Sequence, residues 1–280
     1  MLKSRLCIAF FAFAVGCAPA QKPLTDYVNP MLGTATLWDS VDLGFKPTKR
    51  TWGAEVFPGS SLPNAMVQVS PVTKFHSGAG YQYEDSVIYG FTHTNKGHWN
   101  LCHIPLLPVT GTPTPGDYCS PFSHERESAA PGYYQVFLDR YGVDAQLSST
   151  LRCAFHKYTY PAGAAASLLA DLQRSNEHVR AWDIRKEGDN VFAGWQQTGE
   201  KMYFYAVANR PVTGIEPVVE GDREVRIVRF GEGDGALELR IGFSFVSEKN
   251  ARENLEAEML GKSLAEVRSE ATATWKDRKS

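Results

Sequence analysis

The sequence predicts a mainly β protein, a large antiparallel β-sandwich with C-terminal linker helices. Three observations carry this. Downstream of Gly132, apolar and polar residues alternate with the period of strands that bury one face. Turn-forming stretches such as Glu187-Gly188-Asp189-Asn190 and Gly231 to Gly235 separate these runs. No helical pattern interleaves the strands, which excludes a doubly wound α/β fold and leaves two stacked sheets.

The N-terminus opens with Lys3 and Arg5 before an apolar stretch, Leu6 to Val15, too short to span a bilayer as a helix. It ends Val15-Gly16-Cys17, small residues before a cysteine, as in a bacterial lipoprotein signal. Residues 1–16 are therefore expected to be a signal peptide, with Cys17 the lipidated N-terminus. An ordinary signal cut after Ala18 or Ala20 is the alternative. Either way the expectation is export, to the periplasm or to the cell surface on a lipid anchor, with the membrane touched only through that anchor. Of the five cysteines, Cys102, Cys119 and Cys153 would then remain in the folded part. Their number is odd, and the sequence does not choose a disulfide pair.

Residues 17–26 read as a tether and 27–246 as the sandwich. The chain has 280 residues, 29 basic and 31 acidic, for a net charge of −2; this lacks the clustered basic excess of a nucleic-acid-binding domain. From Tyr27 to about Gly132 it is loop-heavy and rich in Gly, Pro, Trp and His, which points either to functional surface or to long connections. Strands follow. Tyr134, Val136 and Leu138 alternate with polar or outward positions, as do Val143, Ala145 and Leu147, then Tyr203, Tyr205 and Val207. The clearest run is Leu237, Leu239, Ile241, Phe243 and Phe245.

Residues 247–280 predict linker helices, Ser247 to Leu260 and Ser263 to Lys279. Ser263-Leu264-Ala265-Glu266 fits a capping box. Leu264, Val267, Ala271 and Trp275 then share one helical face. That stripe needs a surface to pack on, and the expectation is a further domain beyond Ser280.

The residues with chemical potential lie between Asn29 and His103. Trp52-Gly53-Ala54-Glu55 combines aromatic, carboxylate and turn residues. Thr92 to Asn100 sets Asn95, Lys96 and His98 around Trp99, an aromatic plate with hydroxyl-binding groups, as carbohydrate sites require. Ser77-Gly78-Ala79-Gly80 lacks the Gly-Lys-Ser/Thr continuation of a phosphate loop. His93, His98, Cys102 and His103 match neither finger nor helical two-histidine spacing, so no metal is assigned. Glu84-Asp85 and the acids Asp39 and Asp42 read as solvated loop residues. No nucleophile elbow is present, and no catalytic residue is assigned.

In order along the chain, Tyr27-Val28-Asn29-Pro30-Met31-Leu32-Gly33-Thr34, Val56-Phe57-Pro58-Gly59, Met66 to Pro71, Gly90-Phe91-Thr92-His93, Ser123-His124-Glu125, Pro131-Gly132-Tyr133-Tyr134 and Asn250 to Leu255 resemble the start of glycoside hydrolase family 92, exo-acting α-mannosidases. The resemblance covers nearly all of residues 27 to 279. It implies the N-terminal β-sandwich of a calcium-dependent, inverting enzyme that removes mannose from glycans. It also implies that the carboxylate pair and the calcium ligands belong to an (α/α)6 domain outside this chain, so this segment alone is expected to be inactive. Trp99 and His98 are then the leading sugar contacts, with Asn95, Lys96, Trp52, Glu55 and Met31 behind them. Met31 replaces a frequent Phe, and Thr94 to Trp99 replaces a Ser-Gly-Thr-Gly-type loop, which leaves linkage specificity open. The alternative is a stand-alone carbohydrate-binding or structural β-sandwich lipoprotein.

Overall fold

A computed structural model describes residues 22–36, 44–46, 54, 56–96, 99–233 and 235–277. The alternating segments form strands β1 (Ser60–Ser61), β2 (Val67–Val72), β3 (Val87–Ile88), β4 (Gly90–Lys96), β5 (Trp99–Asn100), β6 (Leu106–Val109), β7 (Ser120–Pro121), β8 (Glu127–Ala130) and β9 (Tyr133–Leu138). They continue with β10 (Val143–Ser149), β11 (Cys153–Thr159), β12 (Ser167–Ala170), β13 (Ala181–Gly188), β14 (Val191–Gln197), β15 (Lys201–Ala208), β16 (Val212–Glu220), β17 (Arg223–Phe230) and β18 (Leu237–Ser244). One sheet runs β1-β2-β4-β6-β12-β17-β16, with β5 hanging from β4. The second runs β13-β14-β15-β18-β11-β10-β9-β8, and β3 pairs with β7 apart from both. Every named pairing is antiparallel, as expected from strands joined by short turns.

Apolar side chains from both sheets form one core. Val67, Val69, Phe91, Leu106 and Ile227 from the first sheet join Val136, Leu147, Phe204, Leu239 and Ile241 from the second, all fully buried. Burial of such a side chain contributes ~1.5–3 kcal/mol, which is why the sheets stack.

The second sheet is not open on its other face. Helices α1 (Glu248–Glu258) and α2 (Leu264–Asp277) lie across it, and Leu255, Met259, Leu264 and Val267 bury Tyr133, Cys153 and Phe155. This corrects two expectations. On β15 the residues in the core are Met202, Phe204, Ala206 and Ala208, whereas Tyr205 and Val207 face the helices and stay half-buried. A strand covered on both sides is apolar on both sides, so alternation alone does not say which face is inner. Likewise β18 stops at Ser244, and Phe245 emerges with Val246 at the surface.

Helix starts follow the sequence. Ser247 Oγ accepts from Asn250 N at 3.1 Å. The capping box also forms, with Ser263 Oγ accepting from Glu266 N at 3.3 Å and Ser263 N donating to Glu266 at 2.8 Å. Close approach of α1 to β18 requires Gly242, where an added Cβ would lie 2.1 Å from the Ala251 carbonyl oxygen.

The apolar stripe of α2 packs on this domain. Leu264, Val267 and Ala271 are buried on this sandwich, and Trp275 Nε1 donates to the Ser61 carbonyl at 2.7 Å. Leu24–Tyr27, in the segment read as a tether, forms a 3-10 turn against α2. Cys102, Cys119 and Cys153 are all free thiols.

Candidate functional site

The first candidate element is the loop from Asn29 to Thr36, and its motif residues each have a mechanical task. Asn29 Oδ1 accepts from Met31 N at 3.0 Å, closing an Asx turn. Gly33 takes φ +89°, and a Cβ there would come within 2.8 Å of Ala54 Cβ. Thr34 returns its hydroxyl to the Met31 carbonyl at 2.8 Å. The loop is then pinned to the next segment: Tyr83 N donates to Thr34 O at 3.2 Å, and Glu84 Oε1 accepts from Thr36 N at 2.7 Å. Glu84 and Asp85 are thus tied down rather than merely solvated, since Asp85 also accepts from Thr73 Oγ1 at 2.8 Å.

This loop walls a pocket of about 430 Å³ together with Tyr83, His124 and Glu127. Glu127 is the hub. Its side chain is 1% exposed and accepts from Tyr81 Oη at 3.0 Å, Tyr134 Oη at 2.5 Å and His124 Nδ1 at 2.6 Å. The other nitrogen of His124 meets the Tyr83 carbonyl at 2.7 Å. The Tyr83 ring stacks on the imidazole with centroids 3.9 Å apart and planes 2° from parallel. Burial and the neighbouring carboxylate push the Tyr81 and Tyr134 phenols far up, so both remain donors at neutral pH. The result is a rigid aromatic wall facing a loop edge.

The second candidate element is the β4–β5 hairpin, with Lys96 paired to Trp99 and Asn95 to Asn100. Trp99 is exposed, whereas Asn100 is buried and anchors the turn. Its Oδ1 accepts from Cys102 N at 2.8 Å, and its Nδ2 donates to Ala79 O at 3.2 Å. Behind it, Cys102 and Ile104 have φ of +53° and +54°, a left-handed region costly for a β-branched side chain. Gln196 holds Ile104 N at 2.8 Å.

The histidines split in this setting. His103 lies in a relay. Thr198 Oγ1 donates to Glu177 at 2.6 Å and accepts from His103 Nε2 at 3.0 Å, so Nδ1 accepts from the Thr94 hydroxyl at 2.8 Å. Burial lowers His103 to about 4 and His93 to about 3, and pushes His156 well below its usual range. His93 and His156 pair through Nε2 atoms 3.0 Å apart inside the sandwich. These are structural imidazoles.

The stretch from Ser77 to Glu84 joins the two elements. Gly78 O accepts from Asn100 N at 2.8 Å at one end, and Tyr83 and Glu84 hold the N-terminal loop at the other. The glycine run noted in the sequence is therefore a connector.

Of the expected sugar contacts, Met31 lines the pocket and Trp99 is exposed on its hairpin. Trp52, Glu55 and His98 lie outside the described residues, as does Cys17; for Asn95 and Lys96 the backbone is described but not the side chains. Sequence reasoning missed Glu127, Tyr81 and Tyr83. The available signal was the spacing of His124 and Glu127, three apart after Ser123. Among the described residues no cluster of three or more His, Cys, Asp or Glu side chains is arranged for a metal ion. Glu127 does not fit a cation ligand, because its oxygens are already taken by three donors. It is also the only carboxylate among the described residues lining the pocket.

With the geometry in place, comparison with known proteins is direct. The family model described as Glycosyl hydrolase family 92 N-terminal domain matches residues 27–255. A family GH92 α-mannosidase from Bacteroides thetaiotaomicron is 26% identical, with a TM-score of 0.79 over 92% of this chain and 38% of its own. A GH92 family glycosyl hydrolase is 25% identical, with a TM-score of 0.69 over 79% of this chain and 34% of its own. The Family GH92 inverting mannosidase from Bacteroides thetaiotaomicron VPI-5482 shares the fold at 21% identity, with a TM-score of 0.75 over 91% of this chain and 36% of its own. The chain thus spans less than two fifths of the length of these structures. No curated protein matches it.

Proposed function

Because the chain belongs to glycosyl hydrolase family 92, as its N-terminal domain, we propose that it forms one side of the mannose pocket in an exported, calcium-dependent inverting α-mannosidase. The observation that carries this reading is the preformed pocket at the Asn29–Thr36 loop. It offers what a hexose needs, an aromatic wall at Tyr83 and His124 and loop polar groups; Trp99 stands apart from this lining, on a hairpin held by the same connector.

Inversion requires an acid on the leaving oxygen and a base on a water opposite it, with carboxyls ~6.5–9.5 Å apart. Among the described residues the pocket offers Glu127 alone, and its three donors leave it a scaffold rather than a proton carrier. The domain accordingly grips and orients sugar, while the acid and base come from polypeptide outside it. Calcium, whose ligands are expected in that same outside domain, would polarise sugar hydroxyls there. Export and anchoring at Cys17 rest on Lys3, Arg5 and the apolar run to Val15.

One observation favours the second reading, a stand-alone carbohydrate-binding lipoprotein: the α2 stripe packs on this sandwich. A single assay addresses the first reading. The purified chain should bind methyl α-mannoside yet release no mannose from α-mannobiose with calcium present. Mannose release by the chain alone would overturn it, and absence of any binding would remove the pocket assignment.

A further inference from the structure

We propose that a cleft beside the Trp99 hairpin binds the second and third residues of a neutral oligosaccharide whose terminal sugar lies at Trp99; this rests on the reading above. The cleft is about 740 Å³, room for two hexoses, and runs along residues 173–182 towards His76 and Arg223.

Continuity with the hairpin is the first argument. Asn176, in the wall of the cleft, donates from Nδ2 to Asn100 O at 2.6 Å and to Ser77 O at 3.1 Å, and its Oδ1 accepts from His76 N at 2.6 Å. One side chain therefore fixes both the cleft and the base of the hairpin.

The lining chemistry fixes the class of ligand. Trp182 supplies an aromatic ring, partly covered by the Arg226 guanidinium at 5.3 Å. Arg174 is held against the Phe75 ring at 4.1 Å and donates to Tyr118 Oη at 3.2 Å, and Arg223 is held by the fully buried Asp171 at 2.6 Å. These donors are positioned before any ligand arrives, which lowers the ordering cost of binding. Exposed Arg180 and His178 make no side-chain hydrogen bond or ion pair and are available to hydroxyls. Three guanidiniums share the lining with Glu177 and Asp222, and Asp171 pairs with Arg223 from behind, so charge nearly balances. An anion is poorly matched to such a cleft. A neutral, hydroxyl-rich chain is well matched.

The test is calorimetric titration of the whole chain with methyl α-mannoside, α-mannobiose and α-mannotetraose. Tetraose is expected to bind at least tenfold more tightly than the monosaccharide. Arg180→Ala, on the surface, and Trp182→Ala should each remove most of that gain while leaving methyl α-mannoside unchanged, with thermal unfolding as a folding control. Equal affinity for all three ligands, or a gain that survives both substitutions, overturns the proposal. Tetraose binding that depends on Trp182 without any monosaccharide binding supports the cleft and removes the Trp99 reading instead.

Discussion

The two ends of the second sheet's surroundings are built by opposite rules. Under α1 and α2 the contacts are apolar: Leu255, Met259 and Val267 against Phe155 and Tyr133, with Gly242 admitting the helix. Around the hairpin and the N-terminal loop, buried polar groups dominate. Asn100, Thr94, His103, Gln196, Thr198 and Glu127 each answer specific partners, and Cys102 and Ile104 hold left-handed backbone. Apolar packing tolerates small shifts and supplies most of the stability. A satisfied polar network fixes a geometry, and strain persists only where surroundings over-determine it. The helix-covered face holds the domain together, and the loop end aims it.

Four measurements sharpen or break this contrast, from the largest expected effect down. Leu255→Ala should cost about 2–5 kcal/mol in urea unfolding, through lost burial and a cavity, with mannoside affinity per folded molecule unchanged. A change in affinity would show that the helices also shape the pocket.

Acid should destabilise the domain as a whole, through rings buried both inside the sandwich and at the loop end. His93, His103 and His156 have folded-state values depressed by burial, so the unfolded chain binds protons that the folded chain refuses. Their stabilising contribution is full above about pH 6.5. It is lost as pH falls towards the folded values, by at most about 1.4 kcal/mol per pH unit for each histidine. Urea midpoints at pH 7, 6 and 5 should fall steadily; a flat profile would mean that these rings are not held neutral.

Glu127→Gln removes the charge that Tyr81, Tyr134 and His124 address, and puts an NH2 against groups that are themselves donors. A stability loss of about 1–3 kcal/mol and weakened mannoside binding are expected, read by unfolding and calorimetry. Retained affinity would separate the Tyr83–His124 wall from ligand binding. Trp99→Ala, at an exposed position, should shift stability by no more than about 0.5 kcal/mol while lowering mannoside affinity clearly. A large stability loss would make Trp99 structural.

The strands from Tyr134 onward were legible because a covered face and a wetter face differ in polarity, as on β10 and β18. On β15 the same signal pointed to the wrong face, because Tyr205 and Val207 are apolar for the sake of a helix far along the chain. The surface that receives the α2 stripe was not legible either: a stripe says that a partner exists, not which one, and here the sandwich takes it. In the candidate site, Met31 and the Asn29–Thr34 motif could be read from local turn chemistry. Glu127 could not. The spacing of His124 and Glu127 was its one local trace; its role depends on Tyr81, from a loop, and Tyr134, on β9, and that convergence no spacing records.

The three thiols carry a practical consequence. Cys102 and Cys153 are buried in separate apolar clusters, and burial pushes both well above the usual thiol range, which disfavours the reactive thiolate. The domain therefore reaches its native shape without cystine formation, and its melting temperature should be the same with and without dithiothreitol. Among the described residues no disulfide holds the fold, so a shift between oxidising and reducing surroundings should leave its stability in place.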